Sequence, residues 1–148
     1  MTVYISGQLD QIDVHGEMTQ SGNSTDTTIN TVNVWEPVLN FSAGSLDNMT
    51  FASNALTILF DGDYDVSWAC NASIAATNKV AEFGVSVNDA IQDNLTTQRK
   101  FATADIGAIA GVGVLSLSAG DVVKFETRNI TDDTDILIAN ATLTVHRI

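Results

Sequence analysis

The chain has 148 residues, enough for one domain whose core needs neither metal nor disulfide, and its formal net charge is -12. Only six Lys and Arg stand against 18 Asp and Glu, too few to displace the counterions of a nucleic-acid backbone and the wrong balance for an anionic membrane surface. Charged residues make up just 16%, so Thr, Ser and Asn supply the polar bulk, which favours strands and turns and points to an all-β fold.

The opening, Met1-Thr2-Val3-Tyr4, shows no basic segment followed by an apolar one, so no secretion leader is expected and the chain is read as made in a cytosol. No stretch approaches the roughly 20 apolar residues of a membrane span. Cys70 is the single cysteine; it cannot form an intrachain disulfide and is read as a small buried hydrophobe.

In chain order, Val3, Tyr4 and Ile5 suggest a short strand. The polar run Thr19 to Thr28 follows, so residues 1–33 are read as an extended N-terminal arm that packs on its own domain, a sister subunit or another protein. Residues 34–148 are read as the domain proper. Val34 to Leu39 is a candidate strand that Pro37 confines to an edge. Leu56, Ile58 and Phe60 alternate, and Asp61-Gly62 then gives a hairpin signal. Tyr64, Val66, Trp68, Cys70, Ala72 and Ile74 form the clearest alternating strand. Ala81, Phe83, Val85 and Val87 form another, ending at Asn88-Asp89.

Ile106 to Ser116 is rich in Gly and Ala, with Gly107, Gly111 and Gly113 implying close approach by another backbone or subunit. The turn Ser118-Ala119-Gly120-Asp121 leads to Val123, Phe125 and Thr127, alternating with Lys124, Glu126 and Arg128. Ile136, Ile138, Ala141, Leu143 and Val145 suggest a terminal strand pair. Eight to ten strands at this spacing, with no helix, indicate a sandwich or jelly roll.

Three segments carry a resemblance. Gly62-Asp63-Tyr64-Asp65-Val66-Ser67-Trp68 has a Gly turn before a core aromatic. Phe83 to Val87 ends at Asn88-Asp89, where Asp replaces the usual Gly. Leu115-Ser116-Leu117-Ser118-Ala119-Gly120-Asp121-Val122-Val123 sets a Gly-Asp turn between core-facing strands. Together they resemble the C1q/tumour-necrosis-factor-like jelly roll. The segments Gln98-Arg99-Lys100-Phe101 and Asp105 to Gly113, and the Thr-rich run before Trp35, are similar to the phage-encoded head-decoration, head-fibre and tail-fibre versions of that fold. The resemblance implies a homotrimer about a three-fold axis. It assigns structural roles to Gly62, Tyr64, Trp68, Asn88, Leu117, Gly120 and Asp121. Gly111, Val112, Gly113, Val114 and Leu115 are the candidate subunit contacts. The 148 residues hold no Gly-X-Y repeat.

Chemistry is sparse. His15 and His146 lack a nucleophile context such as Gly-x-Ser-x-Gly and are read as solvent-facing or at a subunit contact. Asp61, Asp63 and Asp65 begin like a calcium loop but lack its Gly at the sixth position and Glu at the twelfth. With Asp132, Asp133 and Asp135 they are read as solvated turn acids, a weak surface cation site being the alternative. Asn23, Asn48, Asn71, Asn94, Asn129 and Asn140 head glycosylation-type triplets that follow from composition. Trp68 is read as core and Trp35 as the exposed aromatic for any sugar contact.

No catalytic, cofactor or metal residues are therefore assigned, and a glycan hydrolase is disfavoured because the acids cluster at turns. The expected function is a phage virion structural protein. It would be a homotrimer on the capsid exterior, docked on the major capsid protein and made in the bacterial cytoplasm. The alternative is a tail-fibre module recognising a host surface glycan.

Overall fold

The computed structural model describes residues 12–148, so the Val3–Ile5 strand expectation lies outside the described residues. Twelve strands occur among them: β1 (His15–Gln20), β2 (Glu36–Pro37), β3 (Ser42–Asp47), β4 (Met49–Ala52), β5 (Ala55–Ile58), β6 (Gly62–Ile74), β7 (Lys79–Val87), β8 (Ala90–Ile91), β9 (Thr97–Phe101), β10 (Gly107–Leu117), β11 (Val122–Asn129) and β12 (Ile136–Arg147). A single 3-10 turn covers Asp93–Leu95.

The first sheet runs β10-β6-β12-β1-β3 and the second β4-β5-β11-β7-β8, with β2 beside β11 and β9 beside β7. Every pairing is antiparallel. The fold is an all-β jelly-roll sandwich.

The core follows from period-two alternation. In β6, Tyr64, Val66, Trp68, Cys70, Ala72 and Ile74 are all buried, facing Leu56, Phe83, Val85, Val123 and Phe125 of the second sheet. Trp68 is its centre: the ring lies 5.1 Å from Phe125 and its Nε1–H donates to Leu95 O at 2.9 Å. Tyr64 is fully buried, and its hydroxyl donates to Phe60 O at 2.7 Å.

Four expectations change. Residues 15–20, placed in the arm by the sequence, form a strand paired on both sides with β12 and β3, and Val14 and Met18 are fully buried. The polar run after it is stitched to the same domain: Asn23 N–H donates to Ala139 O, and Thr27 and Ile136 exchange backbone hydrogen bonds. Among the described residues, then, the segment read as an arm packs on its own domain.

Asp61-Gly62 is not a hairpin turn, because β5 belongs to the second sheet and β6 to the first. Ser118 to Asp121 is likewise a crossover from β10 to β11. It is closed by Ser118 N–H donating to Asp121 Oδ2 at 2.8 Å and by Gly120 at φ 95°.

The expected terminal strand pair is one strand. A register shift between Ile138 and Asn140 inserts a bulge, which is why buried positions pass from even (136, 138) to odd (141, 143, 145).

Pro37 does lie in an edge strand, but β2 spans only Glu36–Pro37. Asn88-Asp89 is a two-residue hairpin turn between β7 and β8, with both residues at positive φ (51° and 65°) as a type I′ turn requires.

The acids after β11 serve the loop itself. Asn129 Oδ1 accepts the N–H groups of Thr131 and Asp132, and Asp132 Oδ1 accepts Thr134 N–H at 3.0 Å. Asp135 accepts Ile29 N–H at 2.8 Å. The hydrogen bond from Lys79, then that from Thr134 N–H, hold Asp132 at about 2, below its ordinary 3.8. A depressed folded-state value stabilises the fold above the unfolded value, and the contribution disappears as pH falls through the folded one. Wild type should therefore lose stability between about pH 4 and pH 2 more steeply than Asp132→Asn, as followed by thermal melts across that window. Parallel profiles would contradict it.

Candidate interaction site

The outer face of the first sheet is built from residues that alternate away from the core. Strand register sets them in transverse rows: Val114, Asp65, His146, His15 and Asp47; then Val112, Ser67, Thr144 and Glu17; then Ala110, Ala69, Thr142, Thr19 and Ser42; then Ala108, Asn71 and Asn140. Two features dominate. The third and fourth rows are small side chains, so they leave a groove of about 640 Å³ floored by Ala69, Ala108, Ala110 and Thr142 and flanked by Thr19 and Asn71. Beside it, edge strand β10 raises an apolar ridge, with Val112 73% and Val114 50% exposed and Ile106 just before the strand at 73%.

Of the residues proposed from sequence as subunit contacts, Val112 and Val114 face outward and Leu115 is buried. The glycines admit close approach from inside this chain. A Cβ on Gly111 would lie 2.5 Å from Trp68 Nε1, and one on Gly107 would run into the Arg99 side chain. Gly113 faces Asn94 and Leu95 of the 3-10 turn. Within the chain, the close approach expected at these glycines is made by Trp68, Arg99 and the 93–95 turn.

The free backbone edge of β10 is occupied. Thr97 Oγ1 donates to Ala110 O at 3.2 Å and Asn94 Nδ2 to Val114 O at 3.3 Å, which blocks strand addition at those carbonyls. What β10 leaves exposed is its side-chain face, with Val112 and Val114.

At the far end of the sandwich the motif residues Asn88, Gly120 and Asp121 come together. Asn88 Nδ2 donates to Asp121 Oδ1 at 2.9 Å and Asn88 Oδ1 accepts Val122 N–H. Asp61 accepts Ala119 N–H and Gly120 N–H donates to Ile58 O. Leu117 is buried beside them and Gly62 packs under Arg147. These residues are joints between the sheets.

The acids read as solvated turn acids, with a surface cation site as the alternative, are spent or dispersed. Asp61 binds the Ala119 backbone, Asp63 accepts Ser116 Oγ–H at 2.5 Å, and Asp65 faces outward on the sheet. Among the described residues no group of three or more His, Cys, Asp or Glu is arranged to hold a metal ion. Arg128 lies over the Trp35 ring at 4.7 Å, taking one of the faces a sugar would need.

Cys70 lies beneath the groove with its side chain turned to the core, and burial pushes its thiol up to about 12. The folded protein should therefore resist a thiol reagent at mildly alkaline pH and react with one equivalent once unfolded. Stoichiometric reaction in the native state would contradict that burial.

No family model matches the chain, and no curated protein matches it either. Solved structures do share its fold. The globular domain of zebrafish complement 1qA superposes with a TM-score of 0.65 at 14% identity, covering 91% of this chain and 97% of that one. Murine APRIL gives 0.62 at 9% identity, over 90% and 99%, and Eiger TNF from S. frugiperda 0.62 at 11%, over 93% and 94%. The chain has the C1q/TNF jelly-roll fold. Identities this low carry the fold alone, and what the chain does must be argued from its own surface.

Proposed function

We propose that this chain is a structural assembly module: a homotrimer that decorates the exterior of a bacteriophage capsid, docked on the major capsid protein. The observation that carries self-association is the ridge beside the groove. Ile106, Val112 and Val114 form a raised apolar edge, and the small residues next to it form a depression on the same face. Ridge and groove are different patches, so copies joined through them meet head to tail, and a head-to-tail contact closes into a ring when its rotation allows. Covering the part of each valine that is exposed would contribute about 1 kcal/mol.

The number three and the phage setting rest on the sequence resemblance. The acidic charge of -12 suits a particle surface, since it opposes clumping at high local density. Three weak contacts to a capsid act together through high effective concentration.

A receptor-binding tip that takes a host glycan is the rival reading. Its aromatic would be Trp35, and the guanidinium over that ring weighs against it.

Co-sedimentation separates the two. Saturable binding to empty capsids of the parent phage, weakened by removing residues 1–11, supports decoration. Truncation has to stop there, because residues 15–20 are a sheet strand. Sedimentation with host cells and not with capsids would favour receptor binding.

A further inference from the structure

β3 ends the first sheet, paired with β1 on one side only. Among the described residues, nothing outside β1 hydrogen-bonds to the backbone of Ser42–Asp47, so one edge of the strand is open. β10, at the opposite end of the same sheet, has carbonyls capped by Thr97 and Asn94. β3 has no such cap, and it carries neither Lys nor Pro to discourage pairing. Its one irregularity is the register shift opposite Glu17.

The core also stops short at this edge. Leu46 lies opposite Gly16 and Ala43 opposite Met18. Both β1 residues face inward, Gly16 against Met49 and Leu56, and Met18 fully buried. Opposite residues of an antiparallel pair share a face, so Ala43 and Leu46 stand on the core side of the sheet. Both are nonetheless exposed, Leu46 to 37%. A further strand beside β3 would cover them.

The chain enters the fold at the same place. Asp13 O accepts Asn48 Nδ2–H at 2.8 Å and His15 faces Asp47, so residues 1–11 join the described structure at the Asp47 end of β3. Within them runs Thr2-Val3-Tyr4-Ile5-Ser6. Thr, Val, Tyr and Ile are strand formers, and the alternation sets Val3 and Ile5 against the hydroxyl-bearing Thr2, Tyr4 and Ser6. Gly7 then breaks the run. Residues 7–11 reach up to about 17 Å when extended, and passing from β1 to the far side of β3 takes two strand spacings, about 10 Å. That reach lets residues 2–6 run parallel to β3. The antiparallel direction would demand a return along the whole strand as well.

We propose that residues 2–6 form a further strand of the first sheet, laid parallel along the open edge of β3 with Val3 and Ile5 over Ala43 and Leu46. The added strand closes that edge against pairing with another chain. It is the outermost strand on its side, so residues 2–6 remain on the surface that a docked partner meets. Nothing in this placement requires a second copy.

The test is amide hydrogen exchange, resolved by residue, on the full chain carrying Val112→Glu/Val114→Glu, with and without Val3→Pro/Tyr4→Pro. Prolines at two successive positions remove an N–H from either side of the strand without shortening the chain. The expected result is slow exchange within residues 2–6. The prolines should then speed exchange at the β3 amides not bonded to β1 by at least about tenfold, while β6 amides stay unchanged. Exchange across residues 2–6 at the rate of an unfolded peptide overturns the proposal, as does β3 protection that the prolines leave untouched. Protection that grows with protein concentration, or that only the assembling wild type shows, assigns the edge to a second copy and overturns it too.

Discussion

Replacing Val112 and Val114 together by glutamate should turn the assembled protein into a monomer while leaving the sandwich intact. Both side chains point to solvent in the single chain, at 73% and 50% exposure, and substitutions at such positions usually change stability by less than about 0.5 kcal/mol. Assembly changes their surroundings. Each valine loses its share of burial, roughly 1 kcal/mol for the part that was exposed. Each glutamate must also be desolvated without a cationic partner, on a chain that already carries -12. The penalty recurs at every contact of a ring, so the cost to the assembly exceeds that of any one interface. Light scattering should report the mass of one chain, with circular dichroism unchanged. A double variant that still assembles would mean that copies meet elsewhere.

Trp68→Ala carries the largest expected effect on the fold itself. It removes a ring buried to 3% exposure and packed on Phe125, and large-to-small aromatic changes in cores cost roughly 3–5 kcal/mol. Leu95 O loses its indole donor, and Gly111 loses the ring packed against it. At about 2–4 °C per kcal/mol for a chain this size, Tm should fall by roughly 6–20 °C. Trp68→Phe keeps most of the volume but not the donor, and should cost less. Urea titration in the Val112→Glu/Val114→Glu background would exclude linkage to assembly. A loss below about 1 kcal/mol would show that the ring is not the keystone of the core.

The strands that could be read from sequence are those with one apolar face. β6 alternates without a break, and β7 ends at a turn whose Asn and Asp tolerate positive φ. β1 and β3 escaped because their residues hide the pattern. In His15 to Gln20 one inward position is Gly16, where a Cβ would come within 2.3 Å of Met49 Sδ. The sheet therefore demands glycine where alternation would show an apolar residue. Ser42–Asp47 is exposed along its whole length, an edge strand with no apolar face to detect.

Turn chemistry was visible at Asp61-Gly62 and Gly120-Asp121, but a turn does not say whether its strands share a sheet. The bulge in β12 did leave a trace, the change of parity between Ile138 and Ala141.

At the candidate site, sequence found the strand and named apolar positions on both of its faces. Val112 and Val114 project, while Leu115 serves the core and the glycines accommodate Trp68, Arg99 and the 93–95 turn. That His15 and His146 stand side by side had no sequence signal, since only the β1–β12 register brings them together.

The mass of the purified chain in solution, by sedimentation equilibrium at micromolar concentration and near-neutral pH, tests the self-association reading most directly. Three chains per particle is the expected result, with dissociation on Val112→Glu/Val114→Glu. A single chain across the whole concentration range would contradict it, and would leave the apolar ridge of β10 to a different partner.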